Sequence, residues 1–255
     1  MAAKYITASW TFILLCCATN SAAGPDDSNL ERNDLSICNG ANPFPKLDGP
    51  ATAQQLAGWL NGSWVLRTRT IQGVAVDTDS NYYFDLNETN GSGVRGWAML
   101  IDRGNLRSLD YLRLCPACLA NATVGALWKV TITSDAEGRS VHLKMDGDYQ
   151  GSYGDFRKGV TATEQTHFHR YGSVFLAGQL QSPAGGQGLE DDTWDRISIT
   201  NNILIYTSCK NGFVDRFVKV SDQRPTIAGV GLPQAWRAIK ASGTLVNPGP
   251  LETTQ

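Results

Sequence analysis

Residues 199–221, ITNNILIYTSCKNGFVDRFVKVS, decide the fold class. Two runs rich in β-branched and aromatic residues flank Asn211-Gly212, a dipeptide that tolerates the positive φ angles of a two-residue hairpin turn. With that dipeptide as the loop, Lys210 faces Phe213, Cys209 faces Val214, Thr207 faces Arg216, Ile205 faces Val218 and Ile203 faces Val220. The other face then carries Leu204, Tyr206 and Ser208 with Lys219, Phe217 and Asp215, apolar in its middle and polar towards its ends. Neither face is wholly polar, so the sheet has something to bury on both sides: a core or cavity on one, another element on the other.

The same pattern extends backwards. Runs of strand character punctuated by turns fall at 63–71, 80–87, 94–102, 106–115, 124–134, 139–145, 160–169, 173–181, 194–200, 203–209 and 213–221. Runs at this spacing predict an antiparallel barrel or sandwich, and no helix long enough for a crossover to a parallel strand separates them. A short helix is expected over ATAQQLAGWL, residues 51–60. A second follows in LPQAWRAIKASG, with Pro233 at its first helical position, Gly243 as its stop and Trp236 on its packing face.

At the N-terminus, Lys4 precedes an apolar run from Trp10 to Ala18, and Ser21-Ala22-Ala23 offers small residues for cleavage, so 1–23 reads as a signal peptide and the chain as secreted. Residues 24–51 form a polar extended lead-in, 52–225 the barrel, and 226–255 a short helix with a loose tail. Cys16 and Cys17 leave with the leader. Cys38, Cys115, Cys118 and Cys209 remain, an even set that allows two disulfides in three pairings. The acidic excess, 24 Asp and Glu against 22 Lys and Arg, argues against nucleic acid as a partner, and no later segment is long enough for stable membrane insertion. Asn61, Asn87, Asn90 and Asn121 open glycosylation sequons.

Gly62-Ser63-Trp64 at the start of the first strand, and Thr200 followed by Tyr206 and Cys209 in the penultimate one, resemble the lipocalins of the calycin superfamily. That resemblance implies an up-and-down lipocalin-like β-barrel with the C-terminal helix packed outside, and a small ligand held within. It also implies a Cys38–Cys209 bridge between lead-in and barrel, leaving Cys115 and Cys118 to pair locally. Asn201 and Asn202 replace the acidic and aromatic residues of the family's turn. The family's arginine at the end of the last strand has no counterpart in place: Ser221 and Asp222 stand there, with Arg224 beyond and Arg216 well before.

The catalytic scan is nearly empty, with no nucleophile elbow, phosphate loop, dinucleotide glycine set or zinc-protease motif. Cys115-Pro116-Ala117-Cys118 has redox spacing, but it ends a predicted strand instead of opening a helix and reads as a structural disulfide. His167 and His169 share a strand face and could approach a metal or haem, yet no third ligand accompanies them. His142 alternates with Val141, Leu143 and Met145 and is expected outside. Asp146, Asp148 and Asp155 beside glycines read as turn residues. Tyr83, Trp97, Tyr111, Trp128, Phe175, Tyr206 and Phe217 are spread over successive strands, and in a barrel some must face inward. With His167 and His169 they form the candidate ligand-binding set. The expected function is transport of a small hydrophobic molecule such as a fatty acid, retinoid, pigment or tetrapyrrole, with no further cofactor. The alternatives are a barrel enzyme, an isomerase or a thiol redox protein using Cys115 and Cys118, or a secreted glycoprotein acting through its outer surface.

Overall fold

The computed structural model describes residues 50–76, 78–104, 123–150, 160–181, 195–208 and 212–242. Among them are eleven strands: β1 (Gly62–Ile71), β2 (Val74–Val76), β3 (Thr78–Asn90), β4 (Gly93–Gly104), β5 (Thr123–Ser134), β6 (Ser140–Gln150), β7 (Val160–Tyr171), β8 (Val174–Gln181), β9 (Asp195–Ile199), β10 (Ile203–Ser208) and β11 (Phe213–Ser221). Two helices join them, α1 (Ala53–Leu60) and α2 (Leu232–Ser242).

Every pairing is antiparallel. From β3 to β11 each strand lies beside its neighbour in sequence, and β1 pairs with both β3 and β11, which closes a ten-stranded up-and-down barrel. β2 hangs outside on the edge of β1. Closure depends on Gly62, whose φ of 115° is foreign to residues with a side chain and whose Cβ would collide with the Ser221 carbonyl oxygen. Without a side chain there, β1 can draw up against the end of β11.

Helix α1 stoppers the end at which β1 begins. Its Thr52 hydroxyl accepts from Gln55 N–H at 3.2 Å while the Gln55 side chain accepts from Thr52 N–H at 3.1 Å, a capping box that fixes the first turn. Ala53, Leu56, Ala57 and Leu60 are buried in the same cluster as the barrel core, and the Trp59 ring meets Phe175 edge-on at 4.8 Å. The Trp64 indole donates to Leu60 O at 2.8 Å, and the Thr200 hydroxyl accepts from Ile203 N–H at 3.0 Å in the turn between β9 and β10. Trp64 also carries a cation. Lys219 Nζ stands 5.0 Å from its ring centroid and is held by Asp222 at 2.9 Å. Arg224 goes elsewhere, to Asp85.

Helix α2 lies outside on β4 and β5. Leu232, Ala235 and Trp236 cover Tyr83, Met99, Ile101 and Leu127, and the Trp236 indole and Lys240 Nζ both donate to Asp148, at 2.9 and 2.7 Å. This explains the two-sided apolarity of the central strands: one face fills the barrel, the other seats the helix. Asp146 accepts from Thr163 at 2.7 Å and pairs with Lys144, so it and Asp148 tie elements together.

Ten of the eleven expected runs are strands; the run at 106–115 lies outside the described residues. The three-residue β2 is too short to show a period, and its turn, Gln72-Gly73 with φ of 50° and 81°, lacks the usual Asn or Asp. The β10–β11 register differs from the expected one by two residues: Thr207 pairs with Val214, not Arg216, and Ser208 with Phe213. A shift of two leaves every side chain on its expected face. Gln72 N–H donates to Gly212 O at 2.8 Å, which continues the β1–β11 pairing one step past Ile71 and Phe213. No disulfide joins described residues; Cys38, Cys115, Cys118 and Cys209, with the leader, most of the lead-in and the tail, lie outside them.

Candidate functional site

Strand pairing sorts the side chains. Trp64 lies opposite Tyr82, Phe84 opposite Ala98, Ala98 opposite Trp128, and Leu204 opposite Phe217; all belong to the barrel core. Next to α1 this interior is filled by Trp64, Phe84, Trp128, Phe168, Phe175 and Phe217, each at most 4 % exposed. Tyr82 packs over the layer, its ring centroid 4.4 Å from Phe84, 5.7 Å from Trp128 and 6.0 Å from Phe217.

Away from α1 the interior changes character. Tyr82, Leu100, Ile197 and Tyr206 face inward and touch the core, yet each keeps part of its surface uncovered. The Tyr82 hydroxyl is nonetheless enclosed by protein, and burial holds its pKa well above the ordinary phenol range, with the charge of Glu164 adding to the shift.

Polar groups stand on this wall. After a bulge between Leu66 and Thr68, β1 turns Arg69 inward opposite Asp215, and the guanidinium donates twice to the carboxylate, at 2.7 and 2.6 Å. Both residues are buried. Such a fork-to-fork pair inside a barrel costs desolvation and recovers it only through this geometry. Ser80 shares the inward face of β3 with Tyr82, and its buried hydroxyl has no hydrogen-bond partner among the described residues. Thr166 and Glu164 face inward from β7 beside Phe168.

Of the expected ligand-binding residues, Trp128, Phe175, Tyr206 and Phe217 face the interior. Tyr83 and Trp97 do not: they point outward beneath α2, because the register gives the interior to Tyr82 and Ala98 on either side of them. His167 and His169 are also outside, since Thr166 and Phe168 take the interior positions of β7. Tyr111 lies outside the described residues. Tyr82, Leu100, Ile197, Ser80, Arg69 and Asp215 were not singled out by the sequence reading. Two adjacent tyrosines in a strand apolar on both faces give no parity signal, and the inward turn of Arg69 depends on a bulge.

Among the sequons, Asn61 is tied into the fold: its side chain accepts from Leu86 N–H at 3.0 Å and donates to Asn87 at 3.3 Å. The Asn87 amide also reaches Asp85, and Asn90 is exposed at the tight turn between β3 and β4. Asn121 lies outside the described residues. No group of three metal-ligating side chains suited to an ion occurs among the described residues. Compared with protein-family models and with curated proteins, the chain matches none.

Proposed function

We propose that this chain is a secreted carrier that takes a small, largely hydrophobic molecule into the half of the barrel remote from α1. The observation that carries the reading is the uncovered apolar surface of Tyr82, Leu100, Ile197 and Tyr206 inside a closed barrel. Apolar contact there contributes about 25 cal/mol per Å² removed from water, and no bond needs to be made or broken. A buried hydroxyl with no partner costs about 1–3 kcal/mol, so a ligand's polar end hydrogen-bonded to Ser80 recovers that cost and orients the molecule. The aromatic layer over α1 serves as floor.

Native mass spectrometry of the protein purified from its own source tests the proposal. A retained organic molecule, released on denaturation, is the expected result. A bare polypeptide mass, together with failure to take up fatty acids, retinoids or tetrapyrroles added in solution, would overturn it.

A further inference from the structure

The chain contains three histidines, and all three stand on one patch of the outer barrel face. The β6–β7 register sets His142 directly opposite His167, and His169 follows two residues along the same face, opposite Ser140. The first two rings converge: their centroids are 3.5 Å apart, their planes cross at 87°, and their Nε2 atoms face one another. We propose that His142 and His167 form a surface site for a divalent transition ion of the Cu²⁺, Ni²⁺ or Zn²⁺ class, bound through the two Nε2 atoms with water in the remaining positions.

Imidazole is the side chain best suited to these ions. Metal–nitrogen bonds of about 2.0–2.1 Å place two ligating nitrogens about 3 Å apart at tetrahedral or square-planar angles, a spacing that small side-chain rotations reach from this arrangement. The strands hold the pair in register: His142 lies between Thr133 of β5 and His167 of β7, while the β7–β8 pairing shifts at His167 and leaves its far side without a direct partner. Thr133 on β5 and Gln165 on β7 flank the pair with neutral groups, while Lys144, the nearest cation along β6, is drawn to Asp146 at 3.1 Å. The pair supplies two ligands, so the ion retains exchangeable positions and an affinity far below that of a closed structural site.

The test is calorimetric titration of the full chain, stripped with chelator, with copper(II) chloride at neutral pH, alongside electron paramagnetic resonance of the loaded protein. One copper per chain is expected, with a tetragonal spectrum showing nitrogen coupling, and with Cu²⁺ binding more tightly than Ni²⁺ or Zn²⁺. His142→Ala and His167→Ala should each weaken binding by about tenfold or more, and His169→Ala by less than about threefold. Circular dichroism confirms that these surface variants fold. Copper binding that survives both single substitutions unchanged, or that falls as far with His169→Ala, would overturn the proposed pair.

Discussion

Asp215 and Arg69 show how one buried pair shapes the barrel interior. Each ion is stable there only because the other is present, so removing one leaves an uncompensated charge in a low-dielectric wall. Asp215→Ala should lower unfolding stability by about 3–5 kcal/mol in urea titration, whereas the double replacement Arg69→Met with Asp215→Leu should cost much less, because nothing charged is then left behind. The sequence placed Asp215 on the same face as Tyr206 and Phe217, which was correct, but offered no partner for it. The partner lies 146 positions away and faces inward only after a β-bulge. Tyr82 and Tyr83 make the complementary point: neighbours of identical chemistry were separated by the register alone, one into the barrel and one beneath a helix.

At the scale of elements, α2 covers the outer face of β3–β5 through one dominant side chain. Trp236→Ala removes a buried indole and its hydrogen bond to Asp148, and should cost about 3–5 kcal/mol while raising amide exchange in α2 and in the covered strands. The β5–β6 turn makes a pH-dependent contribution. The hydroxyl of Ser140, followed by backbone N–H groups of Arg139, Ser140 and Gly138, holds the Asp135 carboxyl below its usual pKa. A carboxylate depressed in the folded state stabilises it above the unfolded pKa of about 4 and loses that contribution as pH falls through the folded value. Thermal midpoints should therefore decline on acidification below about pH 4, and Asp135→Asn should flatten the decline while lowering the midpoint at neutral pH. The strands and α2 were legible because each follows a local rule, β-branched and aromatic runs between turns for the strands and a Pro-to-Gly span for α2, whereas the capping box of α1 emerged only in the structure. Two details were not legible: the register of β10, which differs from the expected pairing by two residues, and the existence of β2, which is too short to show a period.

For the molecule as a whole, the proposed carrier function requires that the half of the barrel remote from the aromatic layer beside α1 has room for a ligand among Tyr82, Leu100, Ile197 and Tyr206. Strand spacing left barrel and sandwich both open, and closure at Gly62 shows only in the strand pairing; which aromatic side chains face the interior is set by register, which local sequence does not carry. Leu100→Trp tests for that room most directly, since Leu100 faces inward with part of its surface uncovered and the larger side chain would grow into the space a ligand needs. The measurement is an equilibrium titration of wild type and Leu100→Trp with a fluorescent polyene fatty acid, paired with urea unfolding of both and with Val74→Arg, on the exposed β2, as control. The account predicts saturable one-to-one binding by wild type and by the control, a loss of about tenfold or more in Leu100→Trp, and no loss of folding stability in that variant. A Leu100→Trp protein destabilised by about 1–3 kcal/mol, as overpacking of a filled core requires, or one that binds as well as wild type, would contradict it.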